Sequence, residues 1–350
     1  MPRLERRVSV PLWLEISAPV MAVVAAFALC SVLLIAIGAP VLQAYWLLLV
    51  GSFGNSFAIS ETLAKATPLI FTGLAAAVAF RASLYNIGGE GQLLMGGIMV
   101  VLIGTGFVAL PPVLMVPLLL FAGALGGLAL LIGPALLKVR LGVDEVVTTL
   151  LLNFIILLVL SYLLQGPLRD PDAFSWPQSR DLVDSGRLGR LVDAGRAHWG
   201  FAVAVAAVAL TSIFMSRTVW GLELRAVGAN PRGAAFAGIS VDSVVIRTAL
   251  ISGGLAGLAG AVQVMGLRGN LTTDLSPGYG YLGIAVAMLG LLRPWGVLIA
   301  ALFVAALFTG GGSMGRALNV PSYLADVIAA TALLTVIASQ LAVRYRVRWS

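Results

Sequence analysis

The chain has 350 residues, of which 60% are hydrophobic and only 11% charged, and its mean hydropathy is +1.02. This composition lies far outside the range of soluble proteins and excludes a soluble enzyme or binding domain. The formal net charge of +7 does not indicate a nucleic-acid partner, because the basic residues occupy short segments between apolar runs rather than one continuous stripe.

Apolar runs of roughly 20 residues follow one another along the chain, and each can cross about 30 Å of hydrocarbon as a helix. In lipid every backbone polar group needs an internal partner, and the runs lack the period-two alternation of a β-barrel, so helices are expected. We therefore predict an all-α polytopic membrane protein with about ten transmembrane helices, at 17–38, 61–80, 90–110, 113–137, 144–164, 199–216, 244–266, 281–292, 294–312 and 322–342.

The distribution of Lys and Arg predicts that both termini lie in the cytoplasm, since most of these residues then face inward. The basic start of the chain has no small-residue cleavage signal, which favours a retained first span over a removed signal peptide. The predicted order is a cytoplasmic segment (1–16), one transmembrane domain (17–342) with an extracytoplasmic loop (165–198) and a cytoplasmic loop (217–243), and a cytoplasmic tail (343–350).

Two apolar stretches do not fit a simple crossing. Residues 41–58 are interrupted by glycine and are predicted to form an outer-face or re-entrant helix, and 281–292 would be only about 18 Å long as a helix. Discontinuous helices of this kind are where transporters expose backbone to a cavity. Small residues four positions apart in the spans 113–137 and 244–266 predict close helix packing.

The motif FRASLYNIGGEGQ, at residues 80–92, combines helix-breaking glycines with polar side chains beside two spans. An ionisable group near the membrane interior is costly unless it is paired or hydrated, so Arg81 and Glu90 are expected to pair. Asn86 and Gln92 then offer amide groups that match a nucleobase edge or ribose hydroxyls. The alternative is a cytoplasmic turn that closes a gate, in which the polar groups cap helix ends.

Two further polar residues, Thr149 and Asn153, lie one helical turn apart in the span 144–164 and share a face. They are candidates to line the pathway together with Asn86, Glu90 and Gln92. An interhelical hydrogen bond is an equally good interpretation of Asn153.

The cytoplasmic segment 217–247 contains the signals of one short helix. Asn230 suits an N-cap, Pro231 the first helical position and Gly238 the residue beyond the end, which predicts a helix from Pro231 to Ala237. A short, rigid helix of this kind is what a membrane subunit needs in order to insert into a cleft of a soluble ATPase. An ordinary surface helix is the alternative.

At this segment, ELRAVGANPRGAAFAGI resembles the coupling loop of ABC importer permeases of the simple-sugar and nucleoside branch. The stretches 67–97, 142–155 and 278–290 are also similar to that family, and the resemblance covers about residues 60 to 340. It implies a permease that carries a small polar solute, a nucleoside first and a simple sugar as the alternative, across the bacterial inner membrane. The ATPase-coupling residues would be Arg225, Asn230, Pro231, Ala234, Ala235, Phe236 and Gly238.

The resemblance also implies an ABC ATPase, a second permease subunit and an extracytoplasmic solute-binding protein as partners; the second permease is expected to be a related different chain, with a second copy of this chain as the alternative. No cofactor is expected in this chain, because GGGSMGRA at 310–317 lacks the Lys and Ser/Thr of a phosphate-binding loop, so ATP and Mg would lie on the ATPase. With one cysteine, Cys30, and one histidine, His198, no Cys/His metal site is expected. A proton-coupled secondary transporter using Glu90 or Asp326 is the alternative from another class.

Overall fold

The computed structural model describes residues 2–6, 11–106, 110–174, 176–192, 195–319 and 323–349. Within these ranges the regular structure is almost entirely helical, as the sequence predicts. The helices are α1 (Leu12–Ala36), α2 (Val41–Phe53), α3 (Ser56–Arg81), α4 (Gly89–Gly104), α5 (Pro112–Leu141), α6 (Glu145–Gln165), α7 (Gly200–Arg217), α8 (Val219–Ala229), α9 (Pro231–Phe236), α10 (Val241–Val262) with a π-helical continuation (Gln263–Arg268), α11 (Tyr279–Leu289), α12 (Pro294–Leu318) and α13 (Tyr323–Arg344), together with a 3₁₀ turn at Asp184–Gly186.

The two ends of the chain pair with each other as short strands. β1 (Pro2–Arg6) and β2 (Tyr345–Trp349) form an antiparallel ribbon, with Pro2 opposite Trp349. This ribbon is not predictable from local sequence, because each strand has only five residues and its partner lies at the opposite end of the chain.

Each of the ten predicted spans coincides with a helix, but these helices differ in their ability to cross a membrane. Among the described residues, six helices are long and apolar enough: α3, α5, α6, α7, α10 with its π-helical continuation, and α12. The pair of α1 and α2 raises the number to seven if the pair counts as one span. The expected number of about ten spans is therefore not confirmed; α4 and α11 are shorter apolar helices.

The predicted interruptions at 41–58 and 281–292 are present as short helices. α2 has 13 residues, and the pair that it forms with α1 is bent by 119°. α11 has 11 residues, which corresponds to about 16 Å. α4 has 16 residues and ends at Gly104, earlier than the predicted limit of 110; residues 107–109 lie outside the described ranges.

The chain divides into two compact units, Met1–Thr62 with Phe303–Ser350, and Leu63–Leu302. The core of the first unit is formed by apolar side chains of α1, α2, α12 and α13, including the fully buried Leu34 and Met314. All candidate pathway and coupling residues belong to the second unit.

In the second unit, α4, α5 and α10 pack with their backbones in direct contact along a line of glycines. We call this line the glycine seam; it consists of Gly96, Gly123, Gly127, Gly253 and Gly257. A Cβ atom at Gly257 would overlap the carbonyl oxygen of Gly123, and one at Gly96 would overlap that of Gly257. A Cβ at Gly127 would likewise overlap the carbonyl oxygen of Gly253. This confirms the close packing predicted from small residues four positions apart, which in lipid replaces the hydrophobic effect as the force between helices.

We expect Gly257→Ala to destabilise the second unit by about 1–3 kcal/mol, because the added methyl group must push α5 away from α10. The matched control is Gly254→Ala in the same helix, where the nearest atom to an added Cβ is the Ala124 carbonyl oxygen at 3.9 Å. This control should be neutral or slightly stabilising, since alanine is the better helix former. Thermal unfolding of the purified variants in detergent measures both effects, and equal midpoints for the two variants would contradict the glycine seam.

Candidate functional site

The candidate pathway residues gather at the turn between α3 and α4. α3 ends at Arg81, and the chain turns over residues 82–88 before α4 begins at Gly89. Ser83 takes a left-handed conformation with φ of 56°, which helps to reverse the chain. Asn86, within the turn, is buried. The helix break predicted at this motif is therefore present.

Asn86 and Gln92 hold the turn against the start of α4. Asn86 Nδ2 donates to Gln92 Oε1 at 3.0 Å, and Gln92 Nε2 donates back to Asn86 Oδ1 at 2.9 Å. Asn86 Nδ2 also donates to the Ser252 hydroxyl of α10 at 3.0 Å, and its Oδ1 accepts from the Gly88 amide at 2.9 Å. Both side chains are buried, and both amides have partners within the protein.

Helix α6 holds the same turn from the other side. Thr149 Oγ1 accepts from the Ile87 amide at 3.2 Å, and Asn153 Nδ2 donates to the Ile87 carbonyl at 2.9 Å. Asn153 Oδ1 accepts from the Gly91 amide at 2.8 Å, and its Nδ2 also donates to the Tyr281 hydroxyl at 3.2 Å. Thr149 and Asn153 thus face the same side, as their spacing predicts.

Glu90 does not pair with Arg81, contrary to the expectation from the sequence. Its Oε2 accepts from the Gly280 amide at 2.7 Å, and the Ser276 hydroxyl bonds to the same carboxylate. The reason is that Glu90 lies in the first turn of α4 beside the first turn of α11, where backbone N–H groups have no partner within their own helix. The carboxylate therefore caps α11.

Glu145 also belongs to this site, although it is not among the candidates predicted from the sequence. Its Oε1 accepts from the Tyr85 amide at 3.0 Å, and it forms an ion pair with Lys138 at the end of α5. Gly142, with φ of 67°, ends α5 and brings the two charged side chains together. The signal in the sequence is a Lys and a Glu on either side of a glycine that separates two spans.

The structure thus brings the five candidates Asn86, Glu90, Gln92, Thr149 and Asn153 together around one turn of the second unit. Their side chains are buried and bonded to the turn and to its neighbouring helices. A buried polar network of this kind is rigid when each member has a partner. Their contact with a solute stays a prediction.

The short helix predicted to begin at Pro231 is present with the predicted caps. The Asn230 side chain accepts from the Gly233 amide at 3.0 Å, and Pro231 occupies the first helical position of α9. Gly238 follows the end of the helix with φ of 84°. The Ile239 amide donates to the Ala234 carbonyl at 3.0 Å, so the last turn is closed by a hydrogen bond.

Two coupling candidates at the end of α9 are exposed on the surface of the protein. Phe236 is 97% exposed and Ala235 is exposed, whereas Ala234 is buried. α9 ends at Phe236, one residue earlier than predicted.

The preceding helix, α8, was not predicted. Thr218 caps it by accepting from the Gly221 amide at 3.1 Å, and its buried face includes Leu224 and Val227. Arg225, a coupling candidate, lies on the exposed side and donates from Nε to the Gly221 carbonyl at 3.2 Å. The threonine cap followed by apolar residues at helical spacing is the signal that could have identified α8.

An arginine connects α8 to α10. The Arg247 guanidinium lies 4.9 Å from the centre of the Trp220 ring, and its Nη1 is 3.5 Å from Oε2 of Glu223. Both partners are on α8, so one side chain of α10 makes a cation–π contact and an ion pair with the same helix.

His198 is buried in the loop before α7. Its Nδ1 accepts from the Gly200 amide at 3.2 Å, and its ring packs on Gly266 in the π-helical segment. Burial lowers the pKa of His198 to about 4, so the ring is neutral at pH 7. With Nδ1 acting as an acceptor, the proton of the neutral ring resides on Nε2.

Comparison with known proteins identifies a family match over most of the chain. The profile of the family described as "Branched-chain amino acid transport system / permease component" matches residues 58–337. No solved structure matches significantly.

Curated relatives match nearly the whole chain. The glucose ABC transporter permease protein TsgB13 of Haloferax volcanii is 37% identical over 99% of this chain and 93% of its own length. The guanosine ABC transporter permease protein NupP of Bacillus subtilis is 36% identical over 93% of this chain and 94% of its own. The nucleoside ABC transporter permease protein NupB of Lactococcus lactis subsp. cremoris is 31% identical over 90% and 89%.

We expect Asn86 and Gln92 to be strongly coupled in stability. Asn86→Ala should cost about 1–3 kcal/mol, because it leaves the buried Gln92 amide without its partner. Gln92→Ala should have a similar cost for the same reason. The double variant should cost clearly less than the sum of the two, and a thermal-unfolding cycle in detergent measures the difference. Additive costs would show that the two amides do not act as a pair.

We expect the stability of the protein to fall in acid because of His198. The folded-state pKa of about 4 lies below the ordinary value of 6.5, so between these values the unfolded chain binds a proton that the folded chain does not. The contribution is complete above pH 6.5, declines as the pH falls and is lost at pH 4, with a total of about 3 kcal/mol.

The measurement is the unfolding midpoint between pH 7.5 and 4 for the native protein and for His198→Gln. Glutamine can accept the Gly200 hydrogen bond but does not titrate, so it serves as the matched control. If both proteins lose the same stability over this range, His198 is not responsible.

Proposed function

The chain belongs to the family of branched-chain amino acid transport system permease components, and on that premise we propose that it is the membrane-spanning permease subunit of an ATP-binding cassette importer. The relatives, named as nucleoside, guanosine and glucose ABC permeases, support a nucleoside as the solute, with a simple sugar as the alternative. Subunits of this kind are transport components rather than enzymes.

The observation that carries the proposal is the capped helix α9 with Phe236 exposed at its end. A large apolar side chain at 97% exposure on a rigid stub is suited to a hydrophobic cleft of another protein. We propose that this cleft belongs to a separate ABC ATPase, which binds ATP and Mg, and that Arg225, Asn230, Pro231, Ala234, Ala235, Phe236 and Gly238 form the coupling surface.

Movement of the ATPase would reach the membrane through α8. Because Arg247 links α8 to α10 by a cation–π contact and an ion pair, displacement of α8 is passed to α10 and, through the glycine seam, to α4 and α5. In this scheme the turn at 82–88, held by Asn86, Glu90, Gln92, Thr149 and Asn153, forms part of the solute pathway.

The proposed topology has ten crossings with both ends in the cytoplasm of a bacterial cell. It adds α4, α11, α13 and the bent pair α1 and α2 to the six long apolar helices. The partners in this arrangement are a second, related permease chain and an extracytoplasmic solute-binding protein that delivers solute to the loop 165–198.

We expect Phe236→Asp to abolish ATP-driven uptake while leaving the protein folded and inserted. Phe236 has no buried contacts to lose, but the carboxylate would be buried without a partner in the ATPase cleft. The assay is guanosine and glucose uptake into proteoliposomes that contain this permease, its partner permease, the ATPase and the binding protein. Normal uptake by Phe236→Asp would contradict the proposed contact.

Two controls accompany this assay. Phe236→Leu keeps an apolar side chain at the same position and should retain most of the uptake. The permease reconstituted without the ATPase should show no uphill accumulation, with or without an imposed proton gradient. Accumulation by the permease alone would identify it as a secondary transporter instead.

A further inference from the structure

The start of α11 lies inside the second unit rather than at its edge. The segment before it, residues 269–278, contains Leu271 and Leu275, both fully buried, and these pack on Gly97 in the middle of α4. A Cβ at Gly97 would lie 2.8 Å from Leu275 Cδ2. The chain therefore re-enters the helix bundle before α11 begins, and α11 is correspondingly short.

Two buried polar side chains meet this re-entrant segment at neighbouring residues. Gln263 Nε2 donates to the Leu275 carbonyl at a long 3.4 Å, and the Glu90 carboxylate bonds to Ser276 and to the Gly280 amide. Leu275 and Ser276 are consecutive, with Cα atoms about 3.8 Å apart. The Gln263 amide and the Glu90 carboxylate therefore bond to neighbouring residues of one short segment.

Both side chains retain unused acceptors. Gln263 is 2% exposed, and its Oε1 has no hydrogen-bond partner within the part of the chain that the structure describes. A carboxylate offers about four lone-pair positions, of which the Ser276 hydroxyl and the Gly280 and Gly278 amides use three on Glu90. A buried acceptor without a donor is unfavourable, so a ligand that supplies hydroxyl or N–H donors would be stabilised here.

We propose that Gln263 and Glu90, which both bond to the re-entrant segment 269–278, form a solute-binding site that recognises two adjacent hydroxyl groups of an uncharged solute. A vicinal diol is common to ribonucleosides and simple sugars, so the inference rests on the proposed transport function and names the chemistry that both solutes share. Gln263 begins the π-helical segment, and such irregular turns often occur at functional sites.

The site also excludes anionic solutes. The first turns of α4 and α11 meet here, so close that a Cβ at Gly280 would overlap the Glu90 amide nitrogen. Two helix N-termini would ordinarily attract an anion. The Glu90 carboxylate already occupies that position and repels a phosphate, so the site favours a nucleoside over a nucleotide.

The test uses the complete reconstituted importer and the probes guanosine, 3′-deoxyguanosine, D-glucose, 2-deoxy-D-glucose and guanosine monophosphate. The native complex should transport guanosine or glucose, and its kcat/KM for the deoxy analogue of that solute should be about tenfold lower than for the solute itself. Guanosine monophosphate should not be transported. Equal kcat/KM values for the solute and its deoxy analogue would overturn the proposal without any variant.

Gln263→Met removes the unpaired acceptor at nearly constant volume. We expect KM for the transported solute to rise about tenfold, and the preference over the deoxy analogue to disappear. Thermal stability should change little, because the unpaired buried oxygen is removed together with the long hydrogen bond to the Leu275 carbonyl. Gln43→Met, the same exchange at an exposed position of α2, should leave both kinetics and preference unchanged.

The outcomes separate this proposal from the proposed function. If the native complex transports guanosine or glucose but Gln263→Met keeps the native KM and preference, the proposed binding site is wrong, and the proposed importer function is unaffected. If Gln263→Met loses stability and transports the solute and its deoxy analogue with unchanged preference, Gln263 has only a structural role. If the native complex transports neither guanosine nor glucose with ATP, both proposals are wrong.

Discussion

Direct backbone contact between α4, α5 and α10 is the constraint on which the second unit depends. In lipid, apolar side chains gain little by leaving the solvent for a helix interface, so helices associate where their surfaces fit closely. The glycines of the seam allow carbonyl oxygens of one helix to lie where a Cβ would otherwise be. This contact fixes α10 beside α4, and Ser252 of α10 can then reach the buried turn at 82–88.

The buried turn is possible only because its polar groups have partners. In hydrocarbon an irregular segment would leave several amides unpaired, each at a cost of several kcal/mol. Here Asn86 and Gln92 bond to each other, while Thr149 and Asn153 of α6 bond to the backbone of Ile87. The same residue types that suggested a solute site from the sequence therefore also build the helix break, and in the structure these amides are bonded within the protein.

Local features were predictable from the sequence, and long-range partners were not. The caps of α9, the break near Gly88 and the helical nature of the ten spans depend on neighbouring residues, so their signals lie close together in the chain. The partner of Glu90 depends on which helix end faces it: Arg81 was nearer in sequence, but Gly280, 190 residues away, supplies the hydrogen bond. The number of true crossings depends on helix lengths that hydropathy alone does not set.

Two interruptions of the helical bundle differ in a way that bears on movement. At the turn 82–88 the buried amides have partners, so any displacement would break several hydrogen bonds at once, and this part can act as a fixed frame. At the segment before α11 the Gln263 contact is long and its oxygen is unpaired, although Glu90, Ser179 and Leu182 also form hydrogen bonds with this segment or with the start of α11. An alternating-access transporter needs one element that stays in place and one that moves against it. In the proposed importer the α3–α4 turn suits the first role, and the segment before α11 is the candidate for the second at Gln263, where its bonding is incomplete.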